Sequence, residues 1–182
     1  MACLLTKGRA INCFDISGGI SAIYCTTGNL GTITESAGQI TNMAGTFVIF
    51  KYDLNGSANT MTTTATSSRE NGTTSFATTL SVTMPKLSKE DNAELKLLLY
   101  SRPKIIVVDR NLNAMLMGTT NGCSLETATL TTGGSFQDMA GYSLEFNSEE
   151  TSAPNFINGA TAANPLAGMS SASVTVTVGT NT

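Results

Sequence analysis

The chain has 182 residues, enough for one domain with its own core and too few to make two domains a natural expectation. Its apolar fraction of 41% is typical of globular proteins and argues against disorder throughout the chain. Charged residues make up 13%, about half the usual share, so the surface has little protection against self-association. We expect either a surface occupied by neighbours or a Thr/Ser-rich domain kept in solution by its hydroxyl groups.

The charges are distributed unevenly along the chain. All ten Lys and Arg residues lie at or before Arg110, and only Asp and Glu follow that position. Because nucleic-acid docking surfaces normally carry a basic patch, this acidic part argues against docking. It suits a wall past which nucleic acid slides without binding, although acidic loops are more often simply solvated.

The cysteines and the N-terminal sequence limit which metal or thiol chemistry and which cellular compartment are to be expected. None of the four cysteines, Cys3, Cys13, Cys25 and Cys123, has C-x-x-C spacing, and the chain has no histidine to complete a mixed zinc site. We therefore expect buried, reduced thiols and no metal or other cofactor. No signal peptide and no run of membrane-spanning length is evident, which favours synthesis in a reducing cytoplasm and no membrane insertion.

The first third of the chain predicts short strands separated by glycines. Residues 20–26 are rich in β-branched and aromatic side chains, and residues 33–34 and 39–43 are possible short strands. Residues 46–52, Thr-Phe-Val-Ile-Phe-Lys-Tyr, give a strong strand prediction.

A long hairpin with almost no charge is predicted over residues 58–84. Between Asn55 and Pro85 the only charges are Arg69 and Glu70, beside the turn signal Asn71-Gly72. Its second strand alternates apolar and hydroxyl side chains, as a half-buried strand does. Since exposed edges of this kind pair with other chains, either another part of the protein covers the hairpin or pairing with other copies is its purpose. We favour pairing.

One helix is predicted to follow, over residues 88–101. Ser88 is the N-cap candidate, with Asp91 three residues later, and Pro103 ends the helix. An apolar stripe at i, i+3 and i+4 predicts a core-packing face made of Leu95, Leu98 and Leu99.

The second half predicts further strands and one long irregular segment. Strands are expected at 104–109, 114–118, 125–131 and 141–147, with a terminal strand at 174–178. Residues 151–173 are rich in Ala, Asn, Gly, Ser and Pro and predict a loop or arm. The whole chain, 1–182, is thus expected to be a single mainly β domain, a β-sandwich or partial barrel with a long hairpin and one flanking helix.

The residue types needed for common enzyme chemistry are missing. Without histidine, the Ser-His-Asp and Cys-His arrangements are excluded. The glycine-rich stretches match neither of the common phosphate-binding patterns, G-x-x-x-x-G-K-[ST] and G-x-G-x-x-G. We therefore expect a protein that is not an enzyme.

In their order along the chain, these elements resemble the tail tube proteins of bacteriophages and related ring-forming proteins of phage tails. The resemblance is carried by the hairpin, the helix, the strand-turn-strand 104–118 and the block 131–150, which contains Gly-Tyr-Ser-Leu-Glu-Phe and precedes an Ala-Pro step at Ala153-Pro154. The chain departs from the family in its Ala/Asn/Pro-rich insertion before Val174. This departure leaves open whether the protein forms a tube or a single adaptor ring.

The resemblance implies a structural virion protein whose hexameric rings stack into a tail tube, a conduit for DNA ejection. Neighbouring subunits would join their sheets into one inner barrel, which removes the exposed edges. On this basis the sheet-pairing residues in the hairpin are Thr60, Thr62, Thr64, Thr66, Phe76, Thr79, Leu80 and Val82. The implied ring-to-ring contacts are Asp53, Asn55, Pro154, Phe156 and Ile157.

The implied partners are other copies of the chain, other phage tail or connector proteins, and DNA that passes without specific binding. The protein would be made in the host bacterial cytoplasm and reside in the virion. Two other classes stay open. One is a head-tail completion ring or capsid decoration protein. The other is a secreted β-sandwich binding module, which the cysteine pattern and the missing signal peptide argue against.

Overall fold

The structure is a computed structural model that describes residues 19–56, 58–169 and 172–178. Cys3 and Cys13 therefore lie outside the described residues. The described residues form twelve strands and one helix. In chain order they are β1 (Ile20–Thr26), β2 (Ile33–Ser36), β3 (Gln39–Met43), β4 (Thr46–Asp53), β5 (Thr60–Ser68), β6 (Thr73–Pro85), α1 (Lys89–Tyr100), β7 (Lys104–Asp109), β8 (Ala114–Met117), β9 (Ser124–Thr131), β10 (Gly141–Glu150), β11 (Asn155–Ile157) and β12 (Ser173–Val178).

The strands form two sheets, and neither closes into a barrel. The eight-stranded sheet has the order β12-β4-β1-β7-β8-β11-β3-β2, and the four-stranded sheet has the order β5-β6-β10-β9. Only β12 with β4 and β11 with β3 are parallel pairs among the described strands. This architecture confirms the predicted mainly β fold with a long hairpin and one flanking helix. Each predicted strand is present, with small differences at the ends.

The first core lies between the two sheets. Leu80, Phe146 and Leu125 are register partners across three strands of the four-stranded sheet, and they share one buried cluster with Ile105 and Val107 of the other sheet. β7 is buried on both faces from residue 105 to 108, which explains its unbroken apolar sequence. Burial of these side chains is the main force that holds the sheets together.

A second core covers the other face of the eight-stranded sheet. Ile106 and Leu116 at the sheet centre share it with Ile40 and Ile49, which come from strands on opposite sides of the centre. The sheet must therefore curl around this cluster, because strands so far apart in the order contribute to one core.

The segment predicted as a loop or arm is part of this second core, so the prediction for residues 151–173 is wrong in part. Asn155–Ile157 forms β11, which lies between β8 and β3. Ile157, Leu166 and Met169 are buried in the second cluster. The segment has few apolar residues of its own, but the sheet supplies the rest of the core.

Helix α1 begins and ends as predicted but buries a narrower face. The Ser88 hydroxyl accepts hydrogen bonds from the backbone N–H groups of Glu90 and Asp91, which makes it the N-cap. Leu95 and Leu98 are buried in the first core, whereas Leu99 is 48% exposed. The prediction of Leu99 as a packing residue is therefore wrong.

Candidate assembly surfaces

One edge of the four-stranded sheet is β5, the first strand of the hairpin. Its nine residues contain no charge and no proline, and its register with β6 runs without a shift from Thr60↔Ser81 to Ser68↔Thr73. No strand in the described part of the chain pairs with its outer side. Natural edge strands are normally protected by charge, proline, a bulge or short length, and β5 has none of these. The backbone of β5 can therefore pair with a strand from another molecule.

The opposite edge of this sheet is β9, whose edge position sequence reasoning missed. Residues 127–131 of β9 are all exposed. Every second residue of this stretch carries a hydroxyl group: Thr127, Thr129 and Thr131. The three pairings β5–β6, β6–β10 and β10–β9 are all antiparallel, so β5 and β9 run in opposite directions. A β5 strand placed beside β9 of a like-oriented copy would continue the antiparallel order. The run of alternating threonines was the available sequence signal.

The outer face of this sheet is covered by hydroxyl and carboxylate groups. One row across the strands is Thr60, Ser81, Glu145 and Thr127, and the row next to it is Thr62, Thr79, Asn147 and Ser124. None of the four strands contains Lys or Arg. Glu126 also lies at this face, since its carboxylate accepts a hydrogen bond from the Asn147 side-chain amide (3.0 Å). The four strands therefore offer a phosphate no cationic side chain to bind.

The predicted pairing residues divide between the two strands of the hairpin. Thr60, Thr62, Thr64 and Thr66 lie on the free edge strand β5, and all four are exposed. Phe76, Thr79, Leu80 and Val82 lie on β6, whose backbone pairs with β5 on one side and with β10 on the other. Leu80 and Val82 are also buried. The prediction of intersubunit pairing is wrong for these four β6 residues, because their own chain already occupies both sides of the strand.

The hairpin extends beyond the strand that covers it. The last residue pair between β6 and β10 is Phe76 with Glu150, whereas β5 and β6 pair three residues further, to Ser68↔Thr73. At about 3.4 Å per residue, the tip projects roughly 10 Å past β10. Gly72 has φ 63° in the turn, as the Asn-Gly signal predicts.

The predicted ring-to-ring residues lie at two opposite ends of the four-stranded sheet. Asp53 and Asn55 lie beside Met84 and Pro85, at the end where β10 begins, and Asp53 pairs with Lys51 at 2.8 Å. Pro154 lies by Ser148 and Glu150, where β10 ends. Phe156 is 46% exposed, but Ile157 is only 6% exposed. Ile157 is a core residue, so the prediction of an external contact there is wrong.

A groove of about 620 Å³, which we call the helix groove, opens between β4, the end of β6 and the start of α1. Sequence reasoning missed it, because its walls come from segments far apart in the chain. Its apolar floor is formed by Phe50, Tyr52, Met84, Pro85 and Leu87. Its charged residues are Lys51, Asp53, Lys86, Glu90, Asp91 and Glu94. Burial, followed by the thiol of Cys25 and the carboxylates of Glu94 and Asp91, raises the pKa of Tyr52.

The loop between β9 and β10 presents a fully exposed aromatic side chain. The Asp138 carboxylate accepts hydrogen bonds from the N–H groups of Gly134 (2.9 Å) and Ser135 (2.8 Å), and these bonds lower the pKa of Asp138. They order the turn that carries Phe136, which has no contact that hides it from solvent. The ring is therefore fully accessible to another molecule.

The thiols that the structure describes are structural. Cys25 and Cys123 are free and buried, as predicted. Burial raises the pKa of Cys123 to about 12, so the thiol stays protonated and unreactive at neutral pH. Among the described residues, no His, Cys, Asp and Glu side chains are grouped to hold a metal ion. No helix in the described ranges is long and apolar enough to cross a membrane.

Comparison with known proteins gives one similar structure. No protein-family model matches the sequence, and no curated protein matches it. A chain in the virion of a native gene transfer agent particle is similar over 58% of this chain and 88% of that chain, with a TM-score of 0.37 and 14% identity. A likeness this low carries no argument about the fold or function of this protein.

Proposed function

We propose that this protein is a non-enzymatic virion component that assembles into rings, and that the rings stack into a phage tail tube. The observation that carries the proposal is the four-stranded sheet. Its two edge strands, β5 and β9, have no partner strand on their outer sides among the described residues, and its four strands contain no basic residue. The low charge content and the resemblance to tail tube proteins support the same conclusion.

In the proposed ring, β5 of each copy pairs with β9 of the next. The contact is heterologous, because two different edges meet, and heterologous contacts close into rings when the rotation between copies allows it. The antiparallel order within the sheet continues across each junction. Closure would pair the backbone groups of both edges and remove the aggregation hazard. The resemblance to tail tubes implies six copies in the ring.

The outer face of the sheet would then line the lumen. DNA binds proteins mainly through phosphate contacts with Lys and Arg, and the four strands contain neither. The carboxylates of Glu126, Glu145 and Glu149 would repel the DNA phosphates, and the hydroxyl groups would keep the lumen wall hydrated. DNA could therefore pass through without being held.

The proposal is tested by blocking one edge at a time. Variant A carries Thr62→Lys with Thr64→Lys on β5, and variant B carries Thr127→Lys with Thr129→Lys on β9. Each variant alone should remain monomeric, because every junction needs both edges. A mixture of A and B should form dimers and stop there, since β9 of A can pair with β5 of B. Analytical ultracentrifugation and electron microscopy measure these states.

A matched control places the same charges on an unrelated edge. Thr34→Lys with Ser36→Lys lies on β2, a short, exposed edge strand of the eight-stranded sheet. This control should assemble as the unmodified chain does. Rings formed by A alone or by B alone would contradict the proposed junction.

A head-tail completion ring or a capsid decoration protein is the second candidate. The same junction would build a single ring, and the exposed Phe136 would suit a contact with another virion protein. Electron microscopy of the unmodified chain over a range of concentrations separates the two. Tubes support the first function, and rings that never stack support the second.

A further inference from the structure

The helix groove exposes apolar surface that the described part of the chain leaves uncovered. Phe50 is 46% exposed and Leu87 is 39% exposed within the groove, and Val48, two residues before Phe50 on the same face of β4, is 42% exposed. The next strand outward, β12, adds Thr177 to the groove. An apolar floor with a polar rim is typical of a surface that binds another segment.

The charges around the groove define what would bind there. Lys51 and Asp53 form an ion pair with each other at 2.8 Å. The other charged residues that line the groove are one cation, Lys86, and three carboxylates, Glu90, Asp91 and Glu94. These three carboxylates lie in the first two turns of α1. A segment with apolar side chains and a surplus of cations complements this arrangement.

Residues 1–18, which lie outside the described ranges, have this composition. Their large apolar residues are Met1, Leu4, Leu5, Ile11, Phe14 and Ile16. Their charged residues are Lys7, Arg9 and Asp15, so cations exceed anions. Of the ten Lys and Arg residues in the chain, these two are the only ones that precede β1.

The described chain also begins next to the groove. The carbonyl oxygen of Ser21 accepts a hydrogen bond from the N–H of Leu54 (3.0 Å), and Leu54 lies between Asp53 and Asn55, both of which line the groove. A segment tethered this close has a high effective concentration at the groove, on the order of millimolar. Binding within one chain is therefore favoured over binding between copies.

We propose that the helix groove binds residues 1–18 of the same chain, with apolar side chains on the floor and Lys7 and Arg9 against the carboxylates of Glu90, Asp91 and Glu94. The segment would cover the exposed parts of Phe50 and Leu87. This inference does not depend on ring formation, and it applies equally to the monomeric edge-blocked variant A.

Disulfide trapping in variant A tests the inference, because the segment carries its own thiols at Cys3 and Cys13. Leu87→Cys places a partner thiol in the groove. Leu112→Cys is the matched control, since Leu112 is 50% exposed and its N–H bonds to the carbonyl of Asp109, the register partner of Ile20. It is thus close to the start of the described chain but outside the groove. Cys25 and Cys123 are buried and do not compete.

After mild oxidation at low protein concentration, peptide mapping should find the thiol introduced by Leu87→Cys linked to Cys3 or Cys13 within one chain. The yield should be several-fold higher than for Leu112→Cys, because disulfides form only between groups held close together. Adding Glu90→Lys with Glu94→Lys should lower the yield toward that of the control. Equal yields at the two positions, or linkage mainly between copies, would overturn the proposal.

Discussion

Position 141 requires glycine because there is no room for a side chain there, and its backbone conformation does not demand glycine. A Cβ at this position would overlap the carbonyl oxygen of Met84 and lie 3.0 Å from the Cα of Pro85, both in the paired strand β6. Gly134, in the loop just before, provides a contrast. A Cβ there would meet only the Asp138 carboxylate, at 3.5 Å. Neither glycine has the positive φ that would make any side chain unfavourable.

We therefore predict different effects for the same substitution at these two glycines. Gly141→Ala should lower the free energy of unfolding by about 1–3 kcal/mol, because β10 must move away from β6. Gly134→Ala should change it by no more than about 0.5 kcal/mol. Urea unfolding of the monomeric variant A background gives both values. Equal stability of the two alanine variants would contradict this account of Gly141.

At the scale of elements, α1 shows how far a sequence pattern determines burial. The cap at Ser88 and the end before Pro103 depend on local chemistry, and the sequence predicts both. The buried face depends on what the helix packs against. Contacts with the sheet reach Leu95 and Leu98, and the neighbouring Leu97 and Leu99 remain exposed. An i, i+3, i+4 pattern therefore overestimates the width of the packed face.

Leu98 and Leu99 form a matched pair for testing this difference. Leu98→Ala should destabilise the protein by about 2–4 kcal/mol, because it leaves a cavity in the first core. Leu99→Ala removes the same atoms from a side chain that is 48% exposed and should cost less than about 1 kcal/mol. Chemical denaturation measures both. A loss at Leu99 as large as that at Leu98 would restore the original three-residue stripe.

The strands show the same division between local and distant causes. β1, β4 and β7 are predictable because their own residues are β-branched, aromatic or apolar. β11 is not predictable, because Asn155–Ile157 becomes a strand only by pairing with Gln39 and Met115, which are distant in sequence. The cover of β6 by β10 is likewise a long-range pairing. It explains why half of the predicted pairing residues are already occupied.

At the scale of the whole molecule, the two ends of the four-stranded sheet are different. The helix groove and the ordered Phe136 turn adjoin the end where Gly141 pairs with Pro85. The projecting hairpin tip and Pro154 lie at the other end, near Glu150. Rings of like-oriented copies that stack in one direction would bring unlike ends together. In the proposed stack, the tip would project toward the next ring.

Shortening the hairpin should therefore separate ring formation from stacking. Replacing residues 67–74 by Asn-Gly closes a two-residue turn between Thr66 and Ser75 and removes two residue pairs, roughly 7 Å of the projection. Most of β5 remains, so rings should still form, but electron microscopy should show few or no tubes. The control keeps the full-length hairpin and changes Arg69→Ser with Glu70→Ser, which alters the charge of the tip without its reach. If the control stacks and the shortened chain does not, the length of the hairpin determines stacking. Tubes of ordinary length from the shortened chain would show that the tip is not a contact between rings.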